Sequence, residues 1–263
     1  MRIIVCVKQV PDIEESNVVG LDSETGVIIR EDVPAILNPL DTFAVEEAVA
    51  LKEKHGGEVI VVTMGPHQAE DALITCLSMG ADQAFLLSDQ AFAGADTIAT
   101  AYALSCAIRK VGDFDLVFCG QQSLDGETGQ VGPMLAENLH VPQITYVKKI
   151  DIVDKQIVAH RELEDMYELV QCHMPLLMTV VKGINVPRVP TYSELGEAME
   201  KDIPVWGPED LEAEESRLGL SGSPTRVTRV WTPESTSAGT VFEGDPTDIA
   251  DQTAEILIEL LED

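Results

Sequence analysis

Short, uninterrupted apolar runs alternate with helix-like stretches through the first two-thirds of this chain. Continuous runs of Val, Ile and Leu are typical of strands covered on both faces, and helices between such strands are typical of a parallel sheet. The alternation therefore predicts an α/β fold with a mostly parallel, doubly wound sheet. The expected strands lie at 1–8, 59–62, 84–87 and 116–119, and the expected helices at 41–55, 68–79, 96–110 and 129–139.

Polar residues and glycines mark where these helices begin and end. Asp41 and Asp96 each precede a helical pattern and are good N-cap candidates, because their carboxylates can accept hydrogen bonds from first-turn N–H groups. Gly56, Gly80 and Gly112 follow the helical patterns, where glycine commonly ends a helix. The sequence therefore predicts the helix boundaries as well as the helices.

After Pro142 the pattern changes to successive strands with little helix between them. The runs at 144–152, 156–163, 167–173 and 176–181 predict four strands, and Asp154-Lys155 is a plausible hairpin turn. This pattern favours an antiparallel extension of the sheet.

After about residue 190 the chain consists of segments that differ in amino-acid composition. Residues 194–215 contain nine acidic residues and a single basic one, and residues 219–244 are rich in Ser, Thr, Gly and Pro. Apolar residues with helical spacing follow between Ile249 and Leu261. We expect an α/β domain at 1–190, an acidic helical segment at 191–218, and an extended C-terminal arm and helix at 219–263. The last helix either packs on a partner subunit or folds back on its own domain.

Net charge and hydropathy exclude several functional classes. Seventeen basic and 46 acidic side chains give a formal charge of −29, which disfavours nucleic-acid binding and docking on an anionic membrane. No run of apolar residues is long enough for a membrane span, and the N-terminal apolar stretch is too short for a signal peptide. The five cysteines form no Cys-x-x-Cys pair, so we expect free thiols in a cytoplasmic protein and no metal site.

The segment at 120–133 is the most informative candidate for a binding site. It follows a predicted parallel strand and opens a helix, which places it where open α/β sheets bind ligands. Its glycines permit close backbone approach, and a helix N-terminus offers unpaired N–H groups to a phosphate or pyrophosphate. It matches neither the P-loop nor Gly-x-Gly-x-x-Gly. The alternative is a long turn that needs glycine.

Two other loops are expected at the same sheet edge. Asn38 and Asp41 precede or open the first helix, and Thr63 and Met64 end the second parallel strand. Cys6 lies on the first strand, facing either this edge or the core. Together they predict one nucleotide-sized site. The five histidines are scattered and no Gly-x-Ser-x-Gly elbow is present, so no catalytic residue is predicted and a bound cofactor would carry the chemistry.

Five motifs in chain order resemble the β subunit of electron-transferring flavoproteins. The resemblance runs from the N-terminus to about Pro190 and returns weakly at 221–225, SGSPT. The motifs are VKQVPD at 7–12, NP at 38–39 with AVEEA at 44–48, MGP at 64–66, MGAD at 79–82 and DGETGQVGP at 125–133.

The resemblance implies an α/β adenine-nucleotide domain that forms a heterodimer with an α subunit carrying one FAD. The β subunit of this family holds either structural AMP or, in the flavin-bifurcating type of anaerobes, a second FAD. The small, glycine-rich loop at 125–133 resembles the bifurcating type. The residues implied to hold the nucleotide are Cys6, Asn38, Asp41, Thr63, Met64, Gly120, Gln121, Ser123, Asp125, Gly126, Thr128, Gly129, Gln130 and Val131, with Asp96 and Thr97 near the flavin end.

In the bifurcating type, NADH delivers a hydride to the β flavin. One electron then passes through the α flavin to an acyl-CoA or 2-hydroxyacid dehydrogenase, and the other passes to ferredoxin or flavodoxin. The loop at 183–190 corresponds to the family's dehydrogenase-docking loop, with Ile184 in place of its anchoring leucine. The acidic arm would wrap onto the α subunit. The alternatives are the AMP-binding type, with all redox work in α, and a nucleotide-sensing regulatory module without flavin.

Overall fold

The computed structural model describes residues 1–12, 34–153, 156–228 and 241–262. The chain forms two units, Met1–Thr228 and Arg229–Asp263. The strands are β1 (Arg2–Val7), β2 (Gln9–Pro11), β3 (Ala35–Leu37), β4 (Glu58–Met64), β5 (Gln83–Leu87), β6 (Leu116–Gly120), β7 (Gln143–Val153), β8 (Gln156–Glu162), β9 (Tyr167–His173), β10 (Leu176–Val180) and β11 (Val205–Trp206). The helices are α1 (Pro39–His55), α2 (Glu70–Ser78), α3 (Thr97–Val111), α4 (Val131–Leu139), α5 (Tyr192–Met199) and α6 (Pro246–Glu262).

Within the described ranges of the first unit, nine strands form one sheet in the order β11-β5-β4-β1-β6-β10-β7-β8-β9. Neighbours from β11 to β7 are parallel, and β7, β8 and β9 are antiparallel. From β1 the chain builds β4 and β5 on one side and then β6 on the other. The order therefore reverses between β1 and β6, which is where open α/β sheets leave a binding crevice. The α/β prediction, with its antiparallel extension, is confirmed.

Helices cover both faces of the parallel strands. Along β1, Ile3 and Val5 belong to the cluster that includes residues of α1 and α2, whereas Ile4 and Cys6 belong to the cluster with α3 and α4. These side chains alternate because successive strand residues point to opposite faces. Burial of each of these aliphatic side chains stabilises the folded state by about 1.5–3 kcal/mol. β1 therefore contributes to the hydrophobic cores on both faces of the sheet.

The helix boundaries agree with the sequence in most places. Asp96 is the N-cap of α3, and Gly56 and Gly112 are the C-caps of α1 and α3, as predicted. Asp41 is not an N-cap: α1 begins at Pro39 with Asn38 as its N-cap residue. Proline suits the first helical position because its missing N–H has no helical acceptor there, and this leaves Asp41 free for other contacts.

The strand at 176–181 was expected within the antiparallel run, and this was wrong. β10 lies parallel to both β6 and β7, inside the main sheet. Its five residues, LLMTV, are all buried, so its apolar sequence favours a central position. β7, β8 and β9 are antiparallel as expected. The predicted turn at Asp154-Lys155 lies outside the described residues.

One α-helix, one short strand and a single 3-10 turn at Glu215–Arg217 occupy the acidic segment. Thr191 and Glu194 form a capping box at the start of α5, and β11 then adds a two-residue strand beside β5. Only part of 219–263 is described. The second unit contains α6, on which Ile256, Leu257 and Ile258 are exposed. The domain boundaries and the packing of α6 remain predictions. Among the described helices, none is both long and apolar enough to span a membrane.

Candidate functional site at the β1–β6 edge

The strand register brings three predicted site residues to one sheet edge. Cys6 on β1 is level with Cys119 on β6, one residue before Gly120, and Val7 is level with Thr63 on β4. The buried Thr63 hydroxyl donates a hydrogen bond to the Val7 carbonyl oxygen at 2.8 Å. Cys6, Thr63 and Gly120 therefore mark the carboxyl ends of three adjacent parallel strands.

Asp41 joins the loop after β1 to the end of β6. Its Oδ2 accepts a hydrogen bond from the Lys8 backbone N–H at 2.8 Å, and its Oδ1 accepts one from the Gly120 N–H at 3.1 Å. Burial raises the pKa of Asp41 to about 7, although these hydrogen bonds and Lys8 act in the opposite direction. A Cβ on Gly120 would lie 2.3 Å from Asp41 Oδ1, so this position requires glycine.

Asn38 connects the start of α1 to the segment at 120–131, which we term the glycine loop. Its side-chain N–H donates to the Gln122 carbonyl oxygen at 2.9 Å, and its Oδ1 accepts from the Leu124 N–H at 3.2 Å. Asn38 is fully buried. The two hydrogen bonds fix the first half of the glycine loop against α1.

Lys8 is a site residue that the sequence did not single out. Its ammonium group lies 2.6 and 2.7 Å from the two carboxylate oxygens of Asp125, whose side chain is only 10% exposed. Lys8 belongs to the VKQVPD motif, but nothing local indicates a partner 117 residues away. The pair places a cation beside the glycine loop of a strongly acidic chain.

The second half of the glycine loop is more open. Gly126 and Thr128 are exposed, and Gly129 has a φ of 62°, in the left-handed region that favours glycine. Gln130 is the N-cap residue of α4, and in the described part of the chain no side chain caps this helix start. The N–H groups of Val131 and Gly132 therefore lack intrahelical acceptors and can bind an anion.

The starts of α3 and α4 are connected at the rim of the glycine loop. The Thr97 hydroxyl donates to Gln130 Oε1 at 3.0 Å. Asp96 caps α3 by accepting from the Ile98 and Ala99 N–H groups, and it also accepts from the Thr225 N–H at 3.0 Å. Although burial acts against it, these hydrogen bonds hold the pKa of Asp96 below its ordinary value. The SGSPT motif at 221–225 is thereby attached to this rim.

The remaining predicted residues lie around the edge. Met64 ends β4 opposite Leu87 and is half-buried, and the Gln121 N–H donates to the Val180 carbonyl oxygen at 2.9 Å. A groove of about 710 Å³ adjoins Gln121 and extends along Tyr146, Lys182 and residues 162–166.

The hydrogen bond between the Cys6 and Cys119 thiols and their burial hold the pKa of Cys119 well above its ordinary value. The Cys119 thiol is therefore protonated at neutral pH.

The cysteines and the acidic residues provide no metal centre in the parts of the chain that the structure describes. All five cysteines are free thiols. No group of three His, Cys, Asp or Glu side chains within the described ranges could hold a metal ion. The arrangement at the β1–β6 edge, with open N–H groups, hydroxyls and a cation, instead suits a phosphate-bearing ligand.

The predicted docking residue follows β10, whose last residue, Val180, is level with Gly120. Ile184 is half-buried and packs against the hydrophobic cluster that includes residues of α1 and α2. Val186 and Val189 of the same loop are each 89% exposed. The docking role that the family resemblance implies for Ile184 stays a prediction.

Comparison with known proteins finds similarity over most of the chain. The family profile described as Electron transfer flavoprotein domain matches residues 25–211. The chain is 49% identical to Electron transfer flavoprotein subunit beta of Thermoanaerobacterium thermosaccharolyticum over 93% of both chains. It is 47% identical to Caffeyl-CoA reductase-Etf complex subunit CarD of Acetobacterium woodii, over 93% of this chain and 92% of that one. It is 44% identical to Protein FixA of Azorhizobium caulinodans, over 89% and 85% of the two chains.

Proposed function

This chain belongs to the β-subunit family of electron transfer flavoproteins, and from that membership we propose that its glycine loop holds FAD in a heterodimer with an α subunit. The proposed complex accepts a hydride from NADH and bifurcates the electrons. One is delivered to an acyl-CoA or 2-hydroxyacid dehydrogenase and the other to ferredoxin or flavodoxin. Electron transfer is the shared function of the family, and the β-site FAD, the NADH and the partners are the proposal.

The observation that carries the proposal is the glycine loop at the strand-order reversal. Asn38 and Asp41 fix its first half to α1, and its second half ends at the uncapped start of α4. A rigid base beside open N–H groups is preorganised for a pyrophosphate, since little conformational entropy is lost on binding. The residues present thus fit a dinucleotide cofactor.

Individual residues of the site have distinct roles in this proposal. The backbone N–H groups of Gly129 and Val131 would bind phosphate oxygens, and the hydroxyls of Ser123 and Thr128 would bind phosphate or ribose. Lys8, which is paired with Asp125, would reduce the repulsion between that carboxylate and a phosphate, and Asp125 would also accept a hydrogen bond from a ribose hydroxyl. Thr63, Met64, Gln121 and Cys6 would form the walls of the site, with Asp96 and Thr97 near the flavin end.

Bound FAD would supply hydride acceptance from NADH followed by one-electron transfers, chemistry that none of the protein side chains at this edge provides. The protein would bind the cofactor and orient it. The name of the CarD relative associates that protein with an Etf complex and a caffeyl-CoA reductase, which supports an acyl-CoA-type dehydrogenase as the partner here. A charge of −29 opposes docking of an acidic ferredoxin on this chain, so the α subunit would provide the ferredoxin-binding surface.

A coupled assay tests the proposed reaction. The purified heterodimer is mixed with NADH, ferredoxin, crotonyl-CoA and an acyl-CoA dehydrogenase, and ferredoxin reduction is followed by absorbance. We expect ferredoxin reduction only when both the dehydrogenase and crotonyl-CoA are present. Omission of the dehydrogenase is the control. Transfer of electrons from NADH to crotonyl-CoA without ferredoxin reduction would exclude bifurcation.

A further inference from the structure

The first half of the glycine loop is attached to the start of α1 at three of its residues. Asp41 accepts a hydrogen bond from the Gly120 N–H. Asn38 donates to the Gln122 carbonyl oxygen and accepts from the Leu124 N–H. These contacts determine the path of the loop as far as Leu124.

Asp125 is the next residue of the loop, and Lys8 holds it. Lys8 Nζ donates to the two carboxylate oxygens of Asp125 at 2.6 and 2.7 Å. The Asp125 side chain is 10% exposed and that of Lys8 is 40% exposed. A charge-assisted contact with a largely buried carboxylate is stronger than a neutral hydrogen bond, and salt screens it less than an exposed pair. The ion pair therefore keeps Asp125 close to the segment that follows β1.

The backbone of Lys8 is itself held in place. Its N–H donates to Asp41 Oδ2 at 2.8 Å, and its carbonyl oxygen accepts from the Asn38 N–H at 2.8 Å. Asn38 and Asp41 are also the residues that hold the first half of the glycine loop. Lys8 and the loop are therefore attached to the same two residues, and the Lys8 side chain closes this network at Asp125.

The open half of the glycine loop begins directly after Asp125. Gly126, Glu127 and Thr128 are exposed. Glu127 has a φ of 52°, in the left-handed region, and its N–H donates to the Ser123 carbonyl oxygen at 2.8 Å. Asp125 lies inside this Ser123–Glu127 turn. The position of Asp125 therefore affects the direction in which the open half leaves the turn.

We propose that Lys8 is a positioning residue of the nucleotide site: its ion pair with Asp125 holds the turn at 123–127 so that the open N–H groups after it receive a phosphate. A loop that is ordered before the ligand arrives loses less conformational entropy on binding. This inference rests on the proposed function, in which the glycine loop binds the phosphates of FAD. It assigns to Lys8 an effect on loop conformation in addition to its effect on charge.

Hydrogen exchange of the nucleotide-free heterodimer tests this effect without any ligand. In Lys8→Met the Glu127 amide is expected to exchange at least about tenfold faster than in the wild type, because the turn opens more easily. Exchange across β4 should stay at the wild-type rate, which distinguishes local opening from a general loss of stability. Lys149→Met is the matched control: it removes an exposed Lys–Asp pair on β7 and should leave the exchange of Glu127 unchanged.

Calorimetric titration of the nucleotide-free heterodimer measures the effect on binding. The probe is ADP, which carries the pyrophosphate of FAD. Lys8→Met is expected to raise the Kd for ADP at least about tenfold, the size expected for the loss of one charge-assisted hydrogen bond. Lys8→Arg keeps a charged donor for both carboxylate oxygens and should retain most of the affinity. In an Asp125→Asn background, Lys8→Met should have no further effect, because the pair is already broken.

Asp125→Asn separates positioning from charge screening. The amide keeps an acceptor oxygen for a ribose hydroxyl but loses the ionic attraction to Lys8. If Lys8 only reduced the repulsion between the carboxylate and a phosphate, this variant would bind ADP as tightly as the wild type or more tightly, since a negative charge is removed. The positioning role predicts weaker binding of ADP, and wild-type or tighter binding would overturn it.

The variant Gly126→Leu distinguishes failure of this inference from failure of the proposed function. If Gly126→Leu leaves the Kd for ADP unchanged, ADP does not bind at the glycine loop and the proposed function fails. If Gly126→Leu weakens binding while Lys8→Met leaves either the Kd or the Glu127 exchange rate at its wild-type value, the positioning role of Lys8 is overturned and the proposed site stands.

Discussion

Asp41 shows how a single buried carboxylate organises the candidate site. It receives backbone N–H groups from the loop after β1 and from the end of β6, and the cost of burial raises its pKa to about 7. The sequence identified Asp41 as a site residue but could not identify these donors, which lie 33 and 79 residues away. Such contacts depend on the strand order and not on local pattern.

The titration of Asp41 predicts a pH dependence of stability. Between its ordinary pKa of 3.8 and about 7, the folded protein retains a proton that the unfolded chain has lost. The free energy of unfolding should therefore fall as pH rises through this window, by at most about 1.4 kcal/mol per pH unit, and level off above it. In Asp41→Asn this contribution is absent. Urea denaturation of both proteins from pH 4.5 to 8 measures the difference, and parallel pH profiles would contradict the assignment.

Two glycines of the glycine loop are expected to behave differently. In Gly120→Ala the new Cβ would lie 2.3 Å from Asp41 Oδ1 and 2.8 Å from the Leu40 carbonyl carbon. We expect a loss of about 1–3 kcal/mol in the free energy of unfolding. In Gly126→Ala the nearest contact is Ser123 Oγ at 3.4 Å, so the loss should stay within about 0.5 kcal/mol. Chemical denaturation measures the free energy of unfolding of both variants. Equal decreases in Gly120→Ala and Gly126→Ala would contradict the close contacts expected at Gly120.

A bulky side chain at Gly126 tests nucleotide binding and not folding. Gly126 is exposed in the open half of the loop, so Gly126→Leu should fold normally but hinder close approach of a phosphate to the backbone. We expect less nucleotide to remain bound after purification of the heterodimer, as measured by chromatography of the denatured complex. Undiminished nucleotide content in a folded variant would argue against the loop assignment.

At the scale of elements, periodicity located the four helices that pack on the main sheet within a few residues, because each has a buried apolar face and three of them end at a glycine. The start of α1 was misplaced, since Asp41 has the residue type of an N-cap while Pro39 opens the helix. β10 was assigned to the antiparallel run because it follows β9 in sequence, although it lies between β6 and β7. The two residues of β11 are too few to give any pattern.

The N-cap of α3 offers a test at this scale. Asp96→Ala removes the side-chain acceptor for the Ile98 and Ala99 N–H groups, and it should lower the free energy of unfolding by about 1 kcal/mol. Asp96→Ser retains a capping side chain, so its free energy of unfolding should fall by only a fraction of that amount. Denaturant midpoints compare the variants. Equal midpoints for the Ala and Ser variants would show that capping is not the contribution of Asp96.

At the scale of the whole molecule, the chain divides at Thr228 into a sheet-containing unit and a C-terminal unit that contains α6. Ile256, Leu257 and Ile258 of α6 are exposed. Sequence composition predicted the arm and the helix. It could not identify what they contact, because an amphipathic pattern specifies a buried face and not the surface that covers it.

Removal of the C-terminal unit tests its proposed role in assembly. A chain that ends at Thr228 keeps the complete sheet and the Asp96–Thr225 contact, so it should fold. We expect weaker association with the α subunit, measured as a raised dissociation constant by calorimetry or as separation of the subunits during size-exclusion chromatography. Affinity equal to that of the full chain would show that the arm is not a clamp.

The central claim is that the β1–β6 edge of this chain holds FAD. The most direct test is to co-express the chain with its α subunit, denature the purified heterodimer and quantify FAD and AMP by chromatography. The proposal predicts two FAD and no AMP per heterodimer, one FAD in each subunit. One FAD and one AMP would contradict it and assign the glycine loop to a structural nucleotide.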